Sequence, residues 1–439
     1  MKWSLGTVFI VIMLLVIVFT GFAQENVTIT VQDYFDPAKS MGKFIQERIV
    51  EFENNHPNVK INHTFIPFNQ LLPTILQQSI TKTVPEIIMV NNPNVSQLIK
   101  GGVLKDLTDK VKEWGWENWE DFIKGYRDNG SYDGKIYAFQ ITGNNLALFY
   151  RESLLNKAGI ANPPETWQEL KEQCKKIKEL LDISPFAYDA EASDEGSFQF
   201  YPFLWSNGGS LLELDQPEAI EALQFLTDMF KEGYIPRDVL NITSQGDLTP
   251  WFINGDVAFM INGCWEFGWH LTEDVMQQLG DVKVTSIPVQ EKGIRPIVAF
   301  GGECYGISSN IDPAKYDAAW EFLEILLSSD INLKINIDSA SLPTRVSATE
   351  KILTEVPILE PFLEQSKYAL PMALMGGMEN YGEISSILWV AIQKAFTGVA
   401  TPEEVFKEAA QTIKGIFSPE DYEMYKQVAR ELLQEASKK

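Results

Sequence analysis

The sequence predicts an α/β protein of two domains with a mainly helical C-terminal region. Three observations predict it. Strand-like and helical segments alternate in the order β-α-β-α-β near the start, which argues for a parallel sheet covered by helices. The 439 residues are enough for two domains. The last ~95 residues repeat their apolar positions at helical spacing.

Taken in order, Lys2 precedes an apolar run over residues 8–19, and Gly21-Phe22-Ala23 follows with small residues at a signal-peptidase site. That pattern predicts a signal peptide over residues 1–23; the run is too short for a spanning helix, which needs about 20 residues. No cysteine follows the cut, so lipid anchoring there is not expected. Val27-Thr28-Ile29-Thr30-Val31 is a β-branched strand. Phe44, Ile45, Ile49 and Phe52 share a helix face, which His56-Pro57 ends. Val59-Lys60-Ile61-Asn62 is the next strand, residues 71–80 the next helix, and Glu86-Ile87-Ile88-Met89-Val90 a third strand. Asp133-Gly134 is a tight turn. Thr166 with Glu169 starts a helix, and Pro217 starts another that ends at Gly233. Asn254-Gly255-Asp256 turns into the strand Val257-Ala258-Phe259-Met260-Ile261. Residues 282–287 and 297–300 are further strands, and residues 319–327 an apolar helix. Thr401-Pro402 with Glu404 form a capping box. The two domains are expected at 24–141 with 293–342, and 142–292 with 343–439.

A net charge of −24 leaves no basic stripe for phosphates, so nucleic acid is not an expected partner. Cys174, Cys264 and Cys304 allow at most one disulfide. His56, His63 and His270 lack ligand spacing, so neither a metal nor a cofactor is expected. There is no GxSxG elbow, HExxH or intact phosphate loop. Among many carboxylates, Glu303, Glu266 and Glu383 stand out by their neighbours as candidates for an acid–base pair.

The features that point to chemistry suit a carbohydrate. Sugars offer apolar C–H faces and a rim of hydroxyls, and a site for them needs flat rings and amides or carboxylates. Trp205-Ser206-Asn207-Gly208-Gly209 and Asn262-Gly263-Cys264-Trp265-Glu266 each set an indole beside amides and glycine, and Trp389 lies near Tyr381 and Glu383. For any one indole taken alone a place in the core is the better reading, and Trp114, Trp116 and Trp119 read that way. Trp265 differs because it follows a strand, at the usual ligand edge of an open sheet. Asn91 and Asn92 follow the third strand, where a plain turn is an equal reading. Asn144 follows Ile141-Thr142-Gly143, and Tyr34 and Phe35 follow the first strand. Arg345 can fork onto hydroxyls or onto a structural carboxylate.

Several pieces, in order along the chain, resemble the bacterial extracellular solute-binding proteins of family 1, the maltodextrin-binding-like group. They are residues 52–61, the turn and strand 133–138, Phe149-Tyr150-Arg151 with Pro163-Pro164-Glu165-Thr166-Trp167, residues 252–260 with Gly263 and Trp265, Gly301-Gly302, residues 318–323 and Leu342-Pro343-Thr344-Arg345. The resemblance implies a two-lobed, type II periplasmic-binding-protein fold with a hinge of crossing strands. It implies a periplasmic or extracellular monomer that binds a sugar and serves the permease of an ABC importer. It implies ligand contacts at Asn144, Trp265 and Trp389, and also at Tyr34, Asn91, Trp205 and Gly302. Asn144 stands where the family often has an acid, and Pro85-Glu86 where it has Pro-Asp; both bear on which sugar, not on the fold. Two alternatives stay open: a secreted carbohydrate-active enzyme using Glu303 or Glu383, and the same scaffold binding a peptide or polyamine.

Overall fold

The computed structural model describes residues 26–438, and the expected signal peptide lies outside them. The first sheet has five strands in the order Val59–Phe65, Val27–Asp33, Ile87–Asn91, Glu303–Ile307 and Ala138–Gln140. The first three run parallel. Glu303–Ile307 runs antiparallel to both of its neighbours, so the sheet is mixed, not wholly parallel as expected. The reason is topological: Ile87–Asn91 follows the first two strands through helical crossovers, as parallel strands require, whereas Glu303–Ile307 enters only after the chain has passed through the second sheet.

These segments form strands because β-branched residues pack on a pleated, buried surface. Ile29, Val31, Ile87 and Ile88 are fully buried, and each stabilises the fold by about 1.5–3 kcal/mol relative to exposure. The helix Ser40–Asn55 buries Phe44, Ile45, Ile49 and Phe52 on the stripe its periodicity announced.

The second sheet runs Val282–Thr285, Leu146–Arg151, Phe259–Gly263 and Phe186–Ala187. The long helices Trp167–Leu181, Asp194–Ser206, Pro217–Lys231, Tyr381–Phe396, Pro402–Ile416 and Pro419–Ser437 share its core. Thr401 caps Pro402–Ile416 as a capping box with Glu404.

Each sheet has its own core. One contains Ile29, Ile87, Phe139, Ile141, Tyr305 and Phe322. The other contains Leu146, Phe186, Trp205, Phe259, Val298 and Leu342. Between them three chain segments run side by side. Asn144 and Gly301 exchange backbone hydrogen bonds, and so do Gly143 and Leu342. Gly302 has φ +122°, and a Cβ there would lie 2.0 Å from the Thr142 carbonyl oxygen, so only glycine lets these segments approach. The three cysteines are buried and free.

Candidate functional site

A cleft lies where the crossing segments meet the two sheets. It comprises two adjoining hollows of about 260 and 380 Å³. Its floor is the crossing itself: Asn144, Gly301, Gly302 and Glu303. On one side the ends of parallel strands supply Tyr34, Phe35 and Asn91, and the first turn of Phe68–Thr81 supplies Phe68 and Asn69. On the other side stand Glu195 and Phe198 from Asp194–Ser206, Gln245, and the pair Trp265 and Trp269. Ligand groups thus gather at strand ends, where backbone turns away from the sheet.

The rings are held by one another. Trp265 lies with its centroid 6.5 Å from Phe198 at 31°. Tyr34 packs edge-on against Phe68 at 5.5 Å and against Trp269 at 6.4 Å, so one ring contact already joins the two sides. Trp265 is half-buried because its indole folds back over Gly263: a Cβ on Gly263 would lie 1.9 Å from that ring. Asn69 Nδ2 donates to the Thr243 carbonyl across the mouth at 3.1 Å.

The electrostatics are acidic. Glu303 is buried and accepts a hydrogen bond from the Thr142 hydroxyl. Burial pushes its carboxyl up to about 7, although Thr142 and Tyr34 pull the other way by bonding to it. Burial likewise pushes Glu195 up to about 7, and its Oε2 accepts from the Gln245 N–H at 2.7 Å. Lys39 is the one basic residue on the walls among the described residues. The arrangement can stack a flat apolar face and bond a rim of hydroxyls. It offers little to a phosphate or carboxylate.

Of the residues singled out in the sequence, Tyr34, Phe35, Asn91, Asn144, Trp265, Gly301, Gly302 and Glu303 line this cleft. Six others do not. Asn92 is buried and its amide donates to the Phe300 carbonyl at 3.3 Å. Trp205 is fully buried and stacked on Tyr201 at 4.7 Å, because Asp194–Ser206 is buried on every side from Gly196 onward. Arg345 is buried, ion-paired to Asp121 at 2.7 Å, and bonded to the Leu327 carbonyl, so its fork takes the structural carboxylate. Glu383 is exposed and Trp389 half-buried on Tyr381–Phe396, and neither lines the cleft. Glu266 is fully buried against Thr249 and His270.

Phe68, Asn69, Glu195, Phe198, Gln245 and Trp269 were missed. Only Trp269 carried a local signal: it lies four residues after Trp265, one helical turn on.

A family model described as bacterial extracellular solute-binding protein matches residues 47–359. The galactooligosaccharide-binding protein of Bacillus subtilis (strain 168) is 21% identical over 396 residues, covering 87% of each chain. The sn-glycerol-3-phosphate-binding periplasmic protein UgpB of Escherichia coli (strain K12) is 21% identical over 394 residues, covering 84% of this chain and 88% of that one. Among solved structures, maltose-bound T. maritima MalE3 superposes with a TM-score of 0.78 at 25% identity, covering 89% of this chain and 100% of the other.

Proposed function

The chain belongs to the bacterial extracellular solute-binding protein family, and from that premise we propose that it holds an uncharged sugar or short oligosaccharide in the cleft and passes it unchanged to the permease of an ABC importer. The observation that carries the reading is the convergence of Trp265, Phe198, Tyr34 and Trp269 with Asn91, Asn144 and Gln245 on two adjoining hollows, where Lys39 is the lone cation among the described residues. Relatives in this family are named for galactooligosaccharide and for glycerol 3-phosphate. A phosphate ester carries close to two negative charges and needs arginines or lysines to replace its water. Glu303 and Glu195 are acids, not bases, and a neutral polyol suits them.

The two lobes exchange chain at residues 141–146, 299–304 and 335–342, since Ile141 and Leu146, Ala299 and Cys304, and Ile335 and Leu342 belong to different cores. Backbone pairs such as Asn144 with Gly301 then form the hinge. A sugar touching both sides stabilises the closed arrangement more than the open one, and that difference drives closure. The expected leader places the mature chain outside the cytoplasmic membrane. No helix of the described residues is long and apolar enough to cross a membrane.

A thermal-shift panel tests the reading. A neutral oligosaccharide is expected to raise the melting temperature by several degrees, and glycerol 3-phosphate is not. No response to any neutral sugar sinks the proposal. The raised carboxyls Glu303 and Glu195 favour one second reading, a cationic ligand such as a polyamine, and a spermidine arm in the panel separates the two. Steady release of reducing ends from a bound oligosaccharide would instead reveal an enzyme.

A further inference from the structure

Beside the cleft lies a group of three carboxylates that shares Glu195 with its wall and extends away from it through Glu191 and Asp189. Between the strand Phe186–Ala187 and the helix Asp194–Ser206 the chain reads Tyr188-Asp189-Ala190-Glu191-Ala192-Ser193. Oxygen-bearing side chains alternate at Asp189, Glu191 and Ser193, and Glu195 follows in the first helical turn. One carboxylate oxygen each from Asp189, Glu191 and Glu195 lies within 4.8 Å of the others.

Asp189 is fully buried, and its Oδ2 has no hydrogen-bond partner. Its Oδ1 accepts from the Glu191 N–H at 2.8 Å, which folds the loop into a turn. Ser193 donates to Glu191 and accepts from the Glu195 N–H at 3.1 Å, so the three acids are held by their own loop. Gly196 packs beneath: a Cβ there would lie 2.4 Å from the Glu191 carbonyl oxygen. The charged groups that act on these carboxyls are one another, Asp194 and Asp247, with no lysine or arginine among them.

A buried, unpaired carboxylate is costly by several kcal/mol, and like-charged neighbours raise the cost. The usual remedy of a basic partner is missing, which leaves protonation or a bound cation. We propose that Asp189, Glu191 and Glu195 hold a calcium ion. The donors are all oxygens, which suit a hard cation and exclude the softer zinc and copper preference for nitrogen and sulfur. Calcium takes carboxylate, carbonyl and water oxygens at about 2.3–2.6 Å, so any two of its ligand atoms lie no more than about 5 Å apart, a limit that the three oxygens meet. Magnesium demands a tighter octahedron and keeps more of its water. The site anchors the segment that carries Glu195 and Phe198 into the cleft. The ion itself is proposed on the loop alone and does not depend on what the cleft binds.

The test uses the full-length mature protein stripped with EDTA, with calcium chloride as titrant and no sugar present. Calorimetry is expected to show one calcium bound, and the melting temperature to rise by several degrees with millimolar calcium and much less with magnesium. Asp189→Asn is expected to remove the calcium response while melting in EDTA no lower than the unaltered protein, because the substitution relieves like-charge repulsion. Glu191→Gln is expected to weaken calcium at least tenfold. Absence of calcium binding to the unaltered protein overturns the proposal, as does calcium affinity within twofold of the unaltered protein in either folded variant.

Discussion

Trp265→Ala removes the ring on which the sugar face is proposed to stack. A tryptophan side chain presents about 150–250 Å². Part of that area in Trp265 is already covered by Gly263 and Phe198. A sugar covering about a third of the ring removes roughly 60 Å² from water, worth about 1.5 kcal/mol at about 25 cal/mol per Å². Directional contacts at the rim extend the range to about 1–3 kcal/mol, a rise in Kd of roughly 5- to 150-fold. Titration calorimetry with the best sugar of the panel measures this, and a thermal melt shows that the fold survives. Trp205→Ala is the control. Its indole is fully buried and stacked on Tyr201 at 4.7 Å, so it is expected to cost about 3–5 kcal/mol of stability and to leave the Kd of the folded fraction alone. A Kd for Trp265→Ala within twofold of the unaltered protein refutes the stacking argument.

Three further outcomes are expected. Burial pushes the Glu303 carboxyl from the ordinary 4.5 up to about 7 in the folded chain. The folded state therefore holds the proton longer than the unfolded one. The stability this group contributes is complete below about 4.5 and is lost as pH rises through about 7. Glu303→Gln, facing Tyr34 and Thr142 with Cys304 and Tyr305 nearby, is expected to flatten that slope by roughly 3 kcal/mol in melts at pH 5 and pH 8; an unchanged slope counts against a buried, proton-holding Glu303. Asn69→Ala removes the bond to the Thr243 carbonyl across the mouth, so stopped-flow dissociation of ligand is expected to speed up about two- to tenfold, for a loss of about 0.5–1.5 kcal/mol. Arg345→Ala removes a buried guanidinium from Asp121, which keeps its two bonds from Ser347, and is expected to destabilise by about 1–3 kcal/mol with the Kd of the folded fraction unchanged; a specific loss of affinity would return Arg345 to the site.

Local chemistry made much of the fold legible. The strands at Val27–Asp33 and Ile87–Asn91 and the box at Thr401 were readable because β-branching and capping act within a few residues. The antiparallel entry of Glu303–Ile307 was not, since its partner Ile87–Asn91 lies more than 200 residues away in the chain. The cleft was half legible for the same reason. Trp265 could be placed by the strand that precedes it, whereas Trp205 sits beside a similar glycine turn at the end of a wholly buried helix. Nothing in five residues distinguishes the two. Arg345 found its carboxylate 224 residues upstream at Asp121. Glu195 was one acid among 60 Asp and Glu residues. Histidine and cysteine spacing carries no signal for the alternating oxygens of Asp189, Glu191 and Ser193, whose loop folds them together only in the structure.

Native mass spectrometry of the mature protein, purified gently from its own periplasmic or culture fraction, addresses the central claim most directly. The account predicts one neutral saccharide per chain, released with its mass unchanged on unfolding and carried at lower occupancy by Trp265→Ala. A phosphorylated or cationic guest, or a saccharide recovered only as cleavage products, would contradict it.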